Sequence, residues 1–270
     1  MFTVVDYGAG PGTLARGILA ASPQCLDALR YIAVEQSADQ RALHPDSVMS
    51  LAELTPEVVG NGVVGVVLAN ELLDNLAFGQ LLNTDGVLLS GVVDEHNGDL
   101  RHHFASEPSP ELMEVLARSG DLSERILFDQ SAAAEVVASI LDGVLLRGRL
   151  IVIDYARLRS EEVEVRTYQE HGRAGDPLRD LGTKDITVDV DLEQLQARTR
   201  PADAISTQAR WLEQHGIDEL VEEGRRVWKE TASIGDLSAL RFRSRIREAE
   251  ALLASDGLGG FYVAEWITNP

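Results

Sequence analysis

The sequence predicts an α/β fold: a seven-stranded, mostly parallel sheet with helices on both faces and an antiparallel last strand. Three observations predict it. Short uninterrupted apolar runs recur along the chain and end in acids or amides, as strands buried on both faces do. Stretches of helical periodicity fill the intervals between them. A final apolar run follows a glycine turn after a long helical stretch, where an edge strand can return antiparallel.

The first run, Phe2, Val4 and Val5, ends in Asp6 and is followed by glycines at 8, 10 and 12. Leu14, Ile18 and Leu19 then share one helical face, which predicts a helix from Thr13 to about Leu29. Strand, glycine turn and helix bring bare backbone close to a nucleotide-type ligand, since glycine has no Cβ to block the approach. A dinucleotide fingerprint needs a third glycine at position 13, and Thr13 stands there. Tyr31 to Glu35 is a second strand ending in an acid, about twenty residues past the turn, where a carboxylate bonds ribose hydroxyls in such folds. Gln36 and Ser37 follow at that edge. Ser47 to Leu51 is a short third strand, and Ser50 and Leu51 fall where an adenine would be edged. Gly62 to Glu71 is a strongly apolar fourth strand that delivers Asn70, Glu71 and Asp74 to the carboxyl edge of the sheet, although N-E-L-L-D also reads as helix-capping chemistry.

From Leu81 to Phe104 the pattern alternates, which predicts a hairpin turning at Asn97-Gly98. His96, His102 and His103 lie there without a spaced set of metal ligands, and read as surface residues. Residues 109 to 146 read as two helices, the second from Ala132 to Leu146. Leu150 to Tyr155 is another buried strand ending in an acid. Residues 156 to 200 are too polar for core and predict an ordered excursion over the sheet edge, with a helix starting near Asp189. A short strand at Ala204 to Ser206, helices near 207–215, 218–232 and 236–254 with Gly216 as a C-cap, and the terminal strand complete one expected domain.

Composition narrows the function. The 270 residues carry a net charge of −20, which disfavours nucleic acid and anionic membranes and welcomes a basic partner. No apolar run is long enough to span a bilayer, and no basic-led leader opens the chain. A lone Cys25 excludes an internal disulfide and fits a reducing compartment, so a cytoplasmic location is expected.

Asp6 two residues before G-x-G-x-G resembles motif I of class I S-adenosylmethionine (SAM) methyltransferases, whose fold is Rossmann-like. Further stretches resemble the MidA-like group within them, which includes the mitochondrial complex I assembly methyltransferase. They are Y-I-A-V-E-Q-S at 31–37, A-N-E-L-L-D-N-L at 69–76, I-D-Y at 153–155, R-T-Y-Q-E-H through D-P-L at 166–178, and D-I-T-V-D-V-D at 185–191. The resemblance implies SAM as cofactor and, from the mitochondrial member, methylation of a protein arginine. Carried over, Asp6, Gly8, Ala9, Gly10, Glu35, Gln36, Ser50 and Leu51 would hold SAM. Asn70, Glu71 and Asp74 would line the acceptor side, and the 166–191 loop would cover the site. The group's amino-terminal substrate-side region is expected to be missing, because the glycine turn starts within eight residues of Met1. Leu181, Asp189 and Leu192 also depart from its usual Pro, His and Phe. The expected partner is a cationic protein acceptor, with the oligomeric state open. The rival expectation is a SAM-binding assembly factor that transfers nothing.

Overall fold

The computed structural model describes residues 2–60, 62–84, 87–106, 125–159, 164–169, 172–231 and 237–269. Its contacts cluster into two units, Met1–Asp203 with Glu265–Pro270, and Ala204–Ala264. The central sheet is built from β1 (Phe2–Tyr7), β2 (Leu29–Val34), β3 (Met49–Leu51), β4 (Val63–Asn70), β9 (Leu145–Asp154), β15 (Ala204–Thr207) and β16 (Tyr262–Thr268). Their order is β15-β16-β9-β4-β1-β2-β3, mostly parallel with the last strands antiparallel, as the apolar runs predict. The chain leaves β1 for β2 on one side and returns to β4 on the other. The crevice at this switch point, outside the carboxyl ends of the strands, is where ligands bind in such sheets.

The middle of the sheet is set by two glycines. Thr3, Gly65 and Gly148 lie side by side across β1, β4 and β9. Gly65 has φ +153° and a Cβ there would stand 1.9 Å from the Thr3 carbonyl oxygen. Gly148 has φ +134° and its Cβ would stand 1.8 Å from the Gly65 oxygen. No other residue fits either position. Around them Val5, Ile32, Val67, Leu150 and Trp266 are fully buried. Each such side chain contributes roughly 1.5–3 kcal/mol of apolar burial. Trp266 also donates its Nε1–H to the Arg200 carbonyl at 3.0 Å, so its polar atom is satisfied.

Several elements differ from the sequence expectation. The first helix spans Thr13–Ala20, not thirteen to twenty-nine, because Ser22 takes φ +48° and Pro23 cannot continue a helix. A short 3-10 turn, Leu26–Ala28, leads into β2. The expected hairpin turns at Asn97 and Gly98, whose φ values of +54° and +84° suit a tight primed turn. It is part of a four-stranded antiparallel sheet, β7 (Asp99–Ser106), β6 (Val87–His96), β5 (Gly79–Thr84) and β8 (Arg125–Asp129) in that order. β8 pairs along β5, with Leu81 opposite Leu127, so β5 is an interior strand and β7 and β8 form the sheet's edges. The first helix expected between 109 and 146 lies largely outside the described residues. The second spans Ser131–Ser139 and ends in a wide turn, Ile140–Val144, because Leu145 already belongs to β9.

The polar excursion is ordered by short pairings. β10 (Ala156–Arg157) pairs with β14 (Val190–Asp191). β11 (Arg166–Gln169) lies between β12 (Gly172–Arg173) and β13 (Asp185–Thr187). The following helix begins at Leu192, later than Asp189, and Asp191 caps it by accepting from Gln194 N at 2.9 Å. In the second unit, helices Gln208–Gln214, Ile217–Thr231 and Leu237–Leu253 match the expected three. Ile217, Val221 and Ala249 form its core, with Leu212, Leu252 and Leu253 against them. Gly216, at φ +86°, makes the turn between the first two of these helices.

Candidate functional site

The glycine turn sits at the carboxyl end of β1. Gly8 N and Ala9 N both donate to the Val34 carbonyl at 2.9 Å, which fastens the turn to β2. Gly10 N donates to Glu35 Oε2 at 3.1 Å, and Ser37 N donates to Glu35 Oε1 at 2.8 Å. Glu35 therefore joins the turn to the segment after β2, and Gln36 is exposed beside it. Asp6 is buried and accepts from the Tyr31 hydroxyl at 2.9 Å. Burial raises its pKa, while Tyr31 and the nearby His44 pull it back down. The same burial, together with Asp6, pushes the Tyr31 phenol far above its ordinary value.

Two side chains that sequence reasoning missed border the turn. His44 Nε2 contacts the Gly10 carbonyl and its Nδ1 contacts Ser50 Oγ, both at 2.8 Å. A Cβ on Gly10 would stand 3.2 Å from Gln40 Oε1. Ser50 and Leu51 end β3 on the same side, with Glu35 N donating to the Leu51 carbonyl at 3.0 Å. The structure thus gathers the eight residues expected around SAM at the ends of β1, β2 and β3.

The second half of the site lies after β4. A Cβ on Gly8 would meet Leu72 Cδ1 at 3.1 Å, so the two halves abut. Asn70 and Glu71 are exposed, and Asn70 Nδ2 reaches Glu71 Oε1 at 3.4 Å. Glu71 N donates to the Ile153 carbonyl at 2.8 Å, and Glu71 takes φ +49°. A non-glycine residue holds that conformation only where its surroundings impose it, which happens disproportionately at functional sites. Partial burial raises the Glu71 pKa, and the neighbouring Asp74 charge adds to this.

Asp74 does not share that exposed edge. It is buried beneath it, accepting from Thr187 Oγ1 at 2.7 Å and from Asn75 Nδ2 at 2.8 Å. Asp154, which ends β9, lies against it and accepts from Leu73 N at 2.9 Å. The sequence marked Asp154 as a strand-ending acid and gave it no role. Tyr155 and Arg166 complete the edge: the guanidinium lies 5.3 Å from the centre of the Tyr155 ring and pairs with Asp189. Nothing in the sequence near Glu71 signals these partners, which lie some eighty to one hundred and twenty residues away.

A cavity of about 1040 Å³ opens beside this edge rather than over the glycine turn. Asn75, Leu76 and Phe78 line it together with Val93, Leu178 and Ile186, and Glu164 and Asp176 also face it. Among the described residues no cluster of His, Cys, Asp and Glu suits a metal ion, and no helix is long and apolar enough to cross a membrane.

Comparison with known proteins agrees with this layout. No curated protein matches the chain. Two crystal structures of proteins from Burkholderia thailandensis superpose on it with TM-scores of 0.78 and 0.79. Each is 22% identical, and the match covers 100% of this chain and 75% and 73% of theirs. The second of these was solved bound to S-adenosyl-homocysteine. Residues 1–209 match a family model described as "putative S-adenosyl-L-methionine-dependent methyltransferase". That match spans the glycine turn, the strands ending at Asp6, Glu35 and Asp154, and the turn after β4, and the chain belongs to this family of SAM-dependent methyltransferases.

Proposed function

We propose that the chain is a MidA-like protein methyltransferase that acts on a cationic nitrogen, with arginine as the favoured acceptor. The observation that carries this reading is Glu71: an exposed carboxylate held at positive φ, in a turn whose Asp74 is buried and whose Asn75 lines the cavity. The cradle fits SAM by its chemistry. Side chains at Gly8 and Gly10 would crowd Leu72 and Gln40, and a carboxylate stands at the end of β1 and just past β2. Asp6 would take the ammonium and Glu35 the ribose hydroxyls, with Gln36, Ser50 and Leu51 along the nucleoside. SAM supplies the methyl group on a sulfonium. The chain's part is to orient the acceptor nitrogen and exclude water, because orientation supplies much of the rate in such a transfer.

For a guanidinium acceptor a carboxylate is the natural tool. It pairs with the cation, aims one nitrogen and accepts a proton around the transfer. The chain's own Arg166 lies against the Tyr155 ring and pairs with Asp189 nearby. The acceptor's flanking residues would lie in the cavity, where Phe78, Leu178 and Ile186 provide apolar contact. The net charge of −20 favours a basic segment over an acidic one. A cytoplasmic setting accords with such a partner and with the single free Cys25.

The test is transfer of labelled methyl from SAM to arginine-containing and lysine-containing peptides by the wild-type chain and by Glu71→Gln. Transfer to arginine that the variant abolishes supports the reading. Transfer to lysine alone would move the acceptor class. SAM binding with no transfer to either would favour a non-catalytic assembly factor.

A further inference from the structure

Beneath Glu71 two carboxyl groups face each other away from solvent. Asp154 is 1% exposed and Asp74 is 4% exposed. Asp74 N donates to Asp154 Oδ2 at 3.4 Å, which brings the two buried side chains together. Two ionised carboxylates cannot both stay buried side by side, so one of the pair holds a proton.

The surrounding bonds show which one. Both oxygens of Asp74 already accept, Oδ1 from Asn75 and Oδ2 from Thr187. Burial raises the Asp74 pKa, and the Thr187 hydroxyl and then the Arg166 charge pull it back toward the ionised form. On Asp154, Oδ2 accepts from Leu73 N at 2.9 Å and Asp74 N at 3.4 Å. Its buried Oδ1 receives no donor among the described residues, so this oxygen is the one placed to carry the proton.

We propose that Asp154 is a positioning residue for the acceptor edge: its protonated Oδ1 donates to Asp74, and the pair locks the Glu71–Asn75 turn to β9 and β13. The link to Glu71 is short. Asn75 Nδ2 bonds Asp74 Oδ1 and, at 3.2 Å, the Glu71 carbonyl, which helps hold Glu71 in its left-handed conformation. The inference rests on reading Glu71 as the acceptor-side carboxylate. The charged and titratable groups around the pair are Glu71 on its own turn, Tyr155 after β9 and Arg166 on β11; from β13 only the uncharged Thr187 reaches it. Burial, with the Asp74 charge next, holds the Asp154 proton to well above the ordinary carboxyl range.

The sign of the pH effect follows. Above the ordinary carboxyl pKa the unfolded chain has released this proton and the folded chain keeps it. The folding equilibrium therefore weakens by about tenfold per pH unit until the folded pKa is passed. Asp154→Asn places an N–H donor at the same position and removes the titration. Asp154→Ala leaves Asp74 without that donor.

The experiment measures denaturant unfolding from pH 4 to 8, and hydrogen exchange of residues 69–77, on the full chain and both variants. The expected result is that the Asn variant keeps slow exchange there and loses one proton's worth of pH slope. The Ala variant should exchange about tenfold faster or more at Glu71–Asn75. An Asn variant with the wild-type slope, or an Ala variant with unchanged exchange, would overturn the proposal. If the Ala variant does not fold, the slope of the Asn variant decides alone. Neither readout needs SAM or an acceptor, so a chain that transfers no methyl would fail the functional reading and leave this one standing.

Discussion

Gly10 separates the binding of SAM from the stability of the turn. It has φ +53°, and a Cβ there would stand 3.2 Å from Gln40 Oε1, the far end of an exposed side chain that can move. Any L-residue at that φ costs about 1–2 kcal/mol. For a chain of this size that lowers the melting temperature by about 2–8 °C, short of unfolding. The strain is present with and without ligand, so it cancels from the affinity. Gly10→Ala should therefore melt earlier, and whatever SAM affinity it loses reads the space that the Cβ alone takes from the ligand. Gly10→Arg carries the same strain and fills the space beside Glu35, whose Oε2 is bonded to Gly10 N. If Glu35 takes a ribose hydroxyl as proposed, losing that one hydrogen bond costs about 1.5–3 kcal/mol, or roughly 10- to 150-fold in affinity. Calorimetric titration with SAM, S-adenosylhomocysteine and NAD, paired with thermal melts, reads both effects. A folded Gly10→Arg chain that binds SAM as tightly as wild type would refute the cradle, and so would tighter binding of NAD than of SAM.

Glu71→Gln should leave SAM affinity within about twofold of wild type while abolishing methyl transfer, since a neutral amide keeps the shape and loses the charge; equal loss of both would put Glu71 on the cofactor side. Tyr31→Phe removes the donor that favours ionised Asp6. Because a bound ammonium needs Asp6 ionised, affinity should fall as pH drops through the raised Asp6 pKa, and this fall should shift to higher pH in the variant. Titrations between pH 5 and 8 check the direction, and a shift to lower pH would reverse the assignment. Gly65→Ala should cost more than about 4 kcal/mol, because backbone must move to admit the Cβ beside the Thr3 oxygen. A variant that melts within a few degrees of wild type would contradict the close packing of β1 against β4.

The gathering of the candidate cofactor residues was legible because it is local. Asp6, the three glycines and Glu35 lie at strand ends that apolar runs delimit, and the parallel sheet brings such ends together whatever the loops do. In the proposed acceptor half, what was legible is that Asn70 and Glu71 stand exposed at the end of β4. Asp74 is three residues further on, yet the turn after β4 carries it under the edge to Thr187, whose position depends on an excursion with little periodicity to read. β8 was missed for a related reason: Arg125–Asp129 is a strand because β5 offers it an edge, and its own pattern is too short to announce it. The first helix was overread because its apolar face runs on past Ala20, and the Ser22-Pro23 break outweighs that periodicity.

The burial of Asp74 and Asp154 also bears on how Glu71 can work at neutral pH. Two ionised acids beneath it would push its pKa further up and drain the charge a cationic acceptor needs. A pair that shares one proton presents a single negative charge, and Asn75, Thr187 and Arg166 already take part of that. Glu71 is left as the exposed carboxylate of the turn, free to ionise as a cation approaches. On the proposed function, such an edge would select positive charge through one group, with the buried acids aiming it. Replacing Asp154 by Asn preserves that charge count, which is why the functional reading expects this substitution to be mild where Glu71→Gln is severe.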